Sequence, residues 1–190
     1  MPTTLLARSI GRNINAVRSR RTAFLVLCAL LFVATTTRAS SADLRIGEAP
    51  PDLAWLSVAG DTLSWDSMRQ DHPLIMVFWA TWCAVCKRDW PKLKELAGRY
   101  DDAPLAPVWA AVSVGEEPGK VARVAASRKL PGLIIADPGE KNGKIMGIEF
   151  VPVVCVLDAD GRLAYLGPPK IGKLNRLLED VTSNTKGESQ

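Results

Sequence analysis

Met76-Val77-Phe78-Trp79-Ala80-Thr81-Trp82-Cys83-Ala84-Val85-Cys86-Lys87-Arg88-Asp89-Trp90-Pro91 is an apolar run that leads through a Cys-x-x-Cys turn into a polar, helix-like segment. Two cysteines at this spacing can close a small disulfide ring. Backbone N–H groups and the positive end of the helix dipole stabilise a thiolate at a helix start, so Cys83 is the predicted nucleophile, with a lowered pKa. Cys86, one turn further in, is predicted to resolve the mixed disulfide formed with a substrate.

A Cys-x-x-Cys pair can also be half of a zinc site or an inert structural disulfide. A structural zinc site needs two further ligands, usually a second Cys pair or a Cys/His pair. The only histidine, His72, precedes the apolar run, and the other cysteines, Cys28 and Cys155, are isolated. The sequence therefore favours a redox dithiol with no metal, and it favours Cys155 as a small buried hydrophobe over a third redox thiol.

The run from Phe78 to Cys83, together with Cys86, Asp89 and Pro91, resembles the active-site signature of thioredoxin-fold proteins. More narrowly, it resembles the exported bacterial TlpA/ResA type, which includes the reductases of cytochrome c maturation. The resemblance covers residues 46–181. It implies a thioredoxin-like α/β domain with a central mixed β-sheet flanked by helices, an N-terminal β-hairpin and a central strand–helix insertion.

The same resemblance implies a thiol–disulfide oxidoreductase that needs no organic cofactor. Its partners would be protein substrates with cysteine pairs and a membrane thiol–disulfide electron donor, and the chain would act as a monomer. Reduction is the favoured direction, with apocytochrome c cysteines or the cysteines of a copper site as clients. The dipeptide Ala84-Val85 matches neither the Gly-Pro of thioredoxin nor the Pro-x of the exported type, so analogy does not fix the reduction potential.

Val77 is a departure from the signature, because cytosolic-type thioredoxins place a buried aspartate there that helps to take a proton from the second cysteine. Asp89, three residues after Cys86, occupies the position where the exported reductases carry a glutamate. One helical turn would bring it to the same side as Cys86, which makes it the candidate acid–base group. The alternative is a solvated acid favoured by the helix dipole.

Pro152 lies near the start of a second apolar run, residues 150–157. A proline cannot donate to a sheet ladder, so it belongs at a strand start or a special turn. The resemblance implies a cis-proline packed against the Cys-x-x-Cys turn, with the Val151 backbone available to a substrate and Trp82 as a further substrate-binding residue. From the residues alone, an ordinary trans-proline is the alternative.

Hydrophobic periodicity and turn signals predict the remaining elements. The predicted strands are 53–58 and 63–65 as a hairpin, then 74–79, 108–114, 133–136, 150–157 and 162–165. The predicted helices are 83–100, 118–129, 141–147 and 171–181. The domain is predicted to span residues 43–181, followed by a flexible tail over residues 182–190.

Residues 1–42 are predicted to be a signal peptide or an N-terminal membrane anchor, with a basic start, an apolar core over residues 23–34 and small residues near position 42. A mitochondrial transit peptide is a less suitable alternative because the apolar block is compact. Lys and Arg total 24. Six arginines lie in this leader, so the remainder has 18 bases against 20 acids and gives no reason to expect nucleic-acid binding. We expect a periplasmic location.

A metallochaperone that binds Cu(I) through Cys83 and Cys86 is the rival from another functional class. The copper-delivery proteins of this fold add a third residue between the cysteines and a downstream histidine. Here the spacer has two residues, and no histidine follows Cys86. Thiol–disulfide exchange therefore remains the favoured function.

Overall fold

The computed structural model describes residues 44–183. The predicted leader at 1–42 and most of the predicted tail lie outside the described residues. Within residues 44–183, none of the helices has the length and apolar character that a membrane span requires.

Seven strands and five helices follow one another in mixed order through the described residues. The strands are β1 (Trp55–Ser57), β2 (Thr62–Leu63), β3 (Leu74–Trp79), β4 (Val108–Val114), β5 (Leu133–Asp137), β6 (Val153–Leu157) and β7 (Leu163–Gly167). The helices are α1 (Trp65–Arg69), α2 (Ala84–Gly98), α3 (Pro118–Arg128), α4 (Lys141–Ile145) and α5 (Ile171–Ser183).

All seven strands form one mixed sheet in the order β2-β1-β5-β4-β3-β6-β7. β3 lies between β4, to which it is parallel, and β6, to which it is antiparallel. Every residue of β3 is buried, as expected for a central strand covered on both faces. The predicted mixed α/β architecture with an N-terminal hairpin is confirmed.

The side chains of β3 alternate between two cores. Ile75, Val77 and Trp79 pack in a cluster that also contains the buried faces of α2, α3 and α5. Leu74, Met76 and Phe78 pack on the other side, with the aromatic residues of β1 and α1. Burial of each large apolar side chain contributes about 1.5–3 kcal/mol, so β3 anchors both layers and fixes the position of the turn that follows it.

Helix α1 was not predicted, because the second hairpin strand was expected to extend to Trp65. The strand ends at Leu63, and Ser64 starts a helix. The Ser64 hydroxyl accepts a hydrogen bond from the Ser67 N–H at 3.1 Å, and the Ser67 hydroxyl accepts one from the Ser64 N–H at 2.8 Å. This reciprocal capping box satisfies two backbone donors and ends the strand.

At the other end of the domain, α5 continues to Ser183, beyond the predicted limit at Val181. Thr182 is buried, and its hydroxyl donates to the Leu178 carbonyl. Residues 184–190 lie outside the described residues.

Gly132 allows β5 to begin where the chain crosses the backbone of β4. Its φ is +71°, and a Cβ built there would lie 1.8 Å from the carbonyl oxygen of Trp109. Only glycine combines that backbone conformation with so close an approach.

Candidate active site around Cys83 and Cys86

Cys83 lies at the junction between the central strand and α2. After β3 ends, a turn over residues 80–83 is closed by a hydrogen bond from the Cys83 N–H to the Ala80 carbonyl at 3.2 Å. Cys83 is then the N-cap residue of α2, and its Sγ accepts a hydrogen bond from the Cys86 N–H at 3.0 Å. This is the environment in which a helix start stabilises sulfur as a thiolate.

Cys83 and Cys86 form a disulfide. Both residues are buried, with Cys83 6% exposed and Cys86 2% exposed. Both cysteines lie in the same core cluster, and Cys83 is slightly the more exposed residue of the two.

Val151 and Pro152 stand opposite the dithiol. The Val151–Pro152 peptide bond is cis, and the Val151 carbonyl oxygen lies 3.8 Å from Cys83 Sγ. They meet because β6, which begins at Val153, pairs antiparallel with β3 and brings Val153 beside Phe78. The predicted residues Cys83, Cys86, Val151 and Pro152 therefore belong to one site.

Apolar side chains are exposed around this site. Trp82 is 72% exposed and Phe150 is 61% exposed, although large aromatic side chains are usually covered. Both line a cleft of about 170 Å³ together with Val151. Trp82 was predicted as a substrate-binding residue and Phe150 was not, because nothing in the local pattern distinguished it from the strand that follows.

Asp89 lies in the second turn of α2, with its side chain 17% exposed. Its Oδ1 is 3.4 Å from the Nε of Arg88. Among the described hydrogen bonds, none joins Asp89 to either cysteine. The structure therefore leaves the acid–base role of Asp89 as a prediction.

Glu116 is a buried carboxylate near the site that the sequence analysis missed. It accepts hydrogen bonds from the Thr81 N–H at 2.6 Å and from the Thr81 hydroxyl, from the Ser113 hydroxyl at 2.8 Å, and from Lys120 Nζ at 2.6 Å. Burial by itself raises the pKa of this carboxyl, but the hydrogen bonds from Lys120, Thr81 and Ser113 outweigh it and lower the pKa to about 2.

Glu116 could have been found from the predicted pairing of the strands. It follows β4, and parallel neighbours end at the same edge of a sheet. Ser113 pairs with Trp79 across β3 and β4, so the segments after both strands are adjacent. A prediction of that pairing would have placed the acidic pair Glu116-Glu117 next to the Cys-x-x-Cys turn.

Cys155 belongs to the other core cluster from the one that contains Cys83 and Cys86. It is fully buried on β6 opposite Met76, and burial raises the pKa of its thiol to about 12. It packs as an apolar side chain. Between residues 44 and 183, no three or more His, Cys, Asp or Glu side chains cluster in a way that could hold a metal ion.

Sequence comparisons find thioredoxins. The chain is 35% identical over 85 residues to a thioredoxin of Staphylococcus epidermidis, a match that covers 44% of this chain and 77% of that one. It is 33% identical over 86 residues to Thioredoxin H2-1 of Oryza sativa, covering 45% of this chain and 59% of the rice protein. The chain thus spans less than two thirds of the rice thioredoxin.

Structural comparisons find the same fold. A thioredoxin-family thiol:disulfide interchange protein from Chlorobium tepidum superposes with a TM-score of 0.58 at 22% identity, over 74% of this chain and 99% of that one. A secreted Mycobacterium tuberculosis disulfide oxidoreductase superposes with a TM-score of 0.56 at 16% identity, over 67% and 95%.

The family follows from a match that covers most of the chain. Residues 45–177 match the Redoxin family, and these residues include the dithiol and the cis-proline. The chain belongs to the Redoxin family, and its fold and its Cys83–Cys86 disulfide are those of a thiol–disulfide oxidoreductase.

Proposed function

We propose that the protein is an exported thiol–disulfide oxidoreductase that reduces disulfides of protein clients through Cys83 and Cys86. One observation carries the proposal: a Cys-x-x-Cys disulfide at the N-terminus of α2 faces the Val151 carbonyl, which precedes a cis-proline. Cys83 is the N-cap of α2 and the slightly more exposed residue of the pair, which suits it for the first attack, with Cys86 left to resolve the mixed disulfide.

In the proposed cycle, the Cys83 thiolate of the reduced protein attacks one sulfur of a client disulfide. A mixed disulfide forms, and the other client sulfur leaves as a thiolate that takes a proton. The Cys86 thiolate then attacks Cys83 Sγ, which restores the Cys83–Cys86 disulfide and releases the second client thiol. Two electrons pass to the client, and a donor dithiol returns them to the protein.

Trp82, Val151 and Pro152 are the proposed substrate-binding residues, and Phe150 joins them. Trp82 and Phe150 offer exposed apolar surface beside the dithiol. The backbone of Val151 is available to hydrogen-bond an extended client segment, since β6 begins only at Val153. Recognition by backbone pairing and apolar contact suits unfolded or partly folded clients.

Export supports reduction as the direction. The leader at 1–42 has the features of a secretory signal or an anchor, and one structural relative is described as secreted. An extracytoplasmic compartment oxidises thiols, so a dedicated reductase there needs a membrane thiol–disulfide donor. Apocytochrome c or copper-site cysteines are the proposed clients, and a monomer in the periplasm is the proposed state.

The test is reduction of a peptide that contains one internal disulfide, with a dithiol as the electron source. We expect turnover by the wild-type protein, none by Cys83→Ser, and a trapped mixed disulfide with Cys86→Ala. Recovery of only free monomer from Cys86→Ala would count against Cys86 as the resolving thiol. Titration of the reduced protein with Cu(I) against a competing chelator separates the rival, because tight 1:1 binding without peptide turnover would indicate a metallochaperone.

A further inference from the structure

Thr81 occupies the second position of the turn that presents Trp82 and Cys83. The hydrogen bond that closes this turn uses the Ala80 carbonyl and the Cys83 N–H. The N–H and carbonyl of the second residue remain without partners inside such a turn, so they need partners from elsewhere or from water. In this protein the partners are Glu116, two residues before α3, and Arg128, the last residue of α3.

Glu116 supplies the partner from the N-terminal side of α3. Its carboxylate binds both the N–H and the hydroxyl of Thr81. Lys120 and Ser113 hold the same carboxylate from other directions. With four donors on two oxygens, the carboxylate cannot turn without breaking hydrogen bonds, and a buried carboxylate that loses them is costly.

Arg128, the last residue of α3, supplies the partner for the carbonyl. Its Nη2 donates to the Thr81 carbonyl at 3.1 Å, and its guanidinium carbon lies 5.6 Å from the centroid of the Trp79 ring. The guanidinium is thus fixed between the end of β3 and the turn. Lys94 of α2 donates to the Arg128 carbonyl at 3.1 Å, which ties this end of α3 to α2.

The charges of this group do not cancel. Lys120 pairs with Glu116, whereas the structure pairs Arg128 with no carboxylate within residues 44–183. The Nη1 of Arg128 is also buried there without a hydrogen-bond partner. A positive charge without a carboxylate partner therefore lies against the Thr81 carbonyl, two residues before Cys83, and a positive charge near a thiol favours the thiolate.

We propose that Arg128 and Glu116 are positioning residues for the dithiol, which hold Thr81 from the two ends of α3 and so fix the turn that presents Cys83. Arg128 additionally favours the attacking thiolate through its charge. This inference rests on the proposed role of Cys83 as the attacking thiol, and it extends the active site to α3, outside the Cys-x-x-Cys and cis-proline segments.

The test compares Arg128→Met with Arg123→Met in the otherwise unchanged full chain. Both residues lie on α3, but Arg123 is exposed and serves as the matched control. After reduction, the alkylation rate of Cys83 is measured from pH 5 to 9, and peptide mapping identifies the labelled cysteine. We expect Arg128→Met to slow alkylation near pH 6 by roughly threefold to tenfold, because fewer molecules carry the thiolate. Arg123→Met should match the wild type.

A second readout separates positioning from general damage. Turnover of the disulfide peptide should fall in Arg128→Met. The fall should be in kcat and not in KM, since the client surface at Trp82 and Phe150 is retained. Arg128→Lys should restore part of the pH profile, because it keeps the charge, but only part of the turnover, because lysine cannot both bind the carbonyl and cover the Trp79 ring.

An Arg128→Met variant with the wild-type alkylation profile and wild-type kcat would overturn the proposal. If Arg128→Met does not fold, Arg128→Lys decides: reduced kcat at an unchanged unfolding temperature supports positioning, and wild-type kcat overturns it. Failure of the proposed function looks different, because the wild-type protein itself would then show no preferential alkylation of Cys83 and no turnover.

Discussion

Glu116 is the single residue whose ionisation we expect to affect the stability of the domain most. Its pKa is 4.5 ordinarily and about 2 in the folded protein. Because the folded pKa is the lower one, the stabilisation is fully present above about pH 4.5 and is lost as the pH falls toward 2. The difference corresponds to roughly 3 kcal/mol at neutral pH.

Urea unfolding at several pH values between 2 and 6 measures this contribution. The free energy of unfolding of the wild-type protein should fall on acidification more steeply than that of Glu116→Gln, whose side chain does not titrate. Glu117→Gln changes an exposed neighbour and should follow the wild type. Parallel curves for wild type and Glu116→Gln would contradict the prediction.

Asp89→Asn tests the acid–base role that the sequence assigns to Asp89. If the carboxylate passes a proton to or from Cys86, the variant should resolve mixed disulfides more slowly, by up to about tenfold. The fold should be intact. Stopped-flow reaction of the reduced protein with a disulfide peptide measures the step. An unchanged rate would leave Asp89 as a helix-terminal charge beside Arg88.

The sequence revealed the residues whose chemistry shows in a local motif. Cys83 and Cys86 were predicted because spacing and the helix start constrain them, whereas the site role of Pro152 was predicted only from the family resemblance. Glu116 and Arg128 could not be found in this way, because their partner Thr81 lies 35 and 47 residues away along the chain. Their role follows only from the packing of α3 against the sheet edge.

At the scale of single elements, Gly132 controls the start of β5. Gly132→Ala forces a Cβ to within 1.8 Å of the Trp109 carbonyl oxygen at a φ of +71°. Because backbone atoms cannot move aside as a flexible side chain does, we expect a loss of about 2–4 kcal/mol. Chemical denaturation measures it.

Gly98→Ala is the control for that substitution. Gly98 is the last residue of α2, it is exposed, and a Cβ there meets no heavy atom within 4 Å. Alanine should stabilise the helix by about 0.5–1 kcal/mol. Equal and small effects of both substitutions would show that β4 and β5 can separate locally at little cost.

Elements with a strong hydrophobic pattern were predicted well. β3 and β4 have the predicted limits, because continuous burial gives a continuous apolar run. α1 was missed because five residues carry too little periodicity to be distinguished from a strand. The Ser64–Ser67 capping box marks its start.

For the whole molecule, the sheet order was the least accessible feature. β1 pairs antiparallel with β5, about 80 residues later in the chain, and no local pattern specifies that partner. The resemblance supplied the fold class, and the structure supplied the neighbours of each strand. Those neighbours decide which loops meet at the dithiol.

The rate at which the Cys155 thiol is alkylated reports how often the sheet opens. Cys155 lies on β6 between β3 and β7, and only its thiolate reacts with alkylating reagents. Reagent therefore meets a reactive Cys155 only while the sheet is open, so the rate of its labelling in oxidised protein counts opening events. In each destabilised variant, the labelling rate of Cys155 should rise about tenfold for every 1.4 kcal/mol lost from the free energy of unfolding. Cys155 should thus be labelled far faster in Gly132→Ala than in Gly98→Ala. Peptide mapping of the Cys155 adduct records the difference without any denaturant.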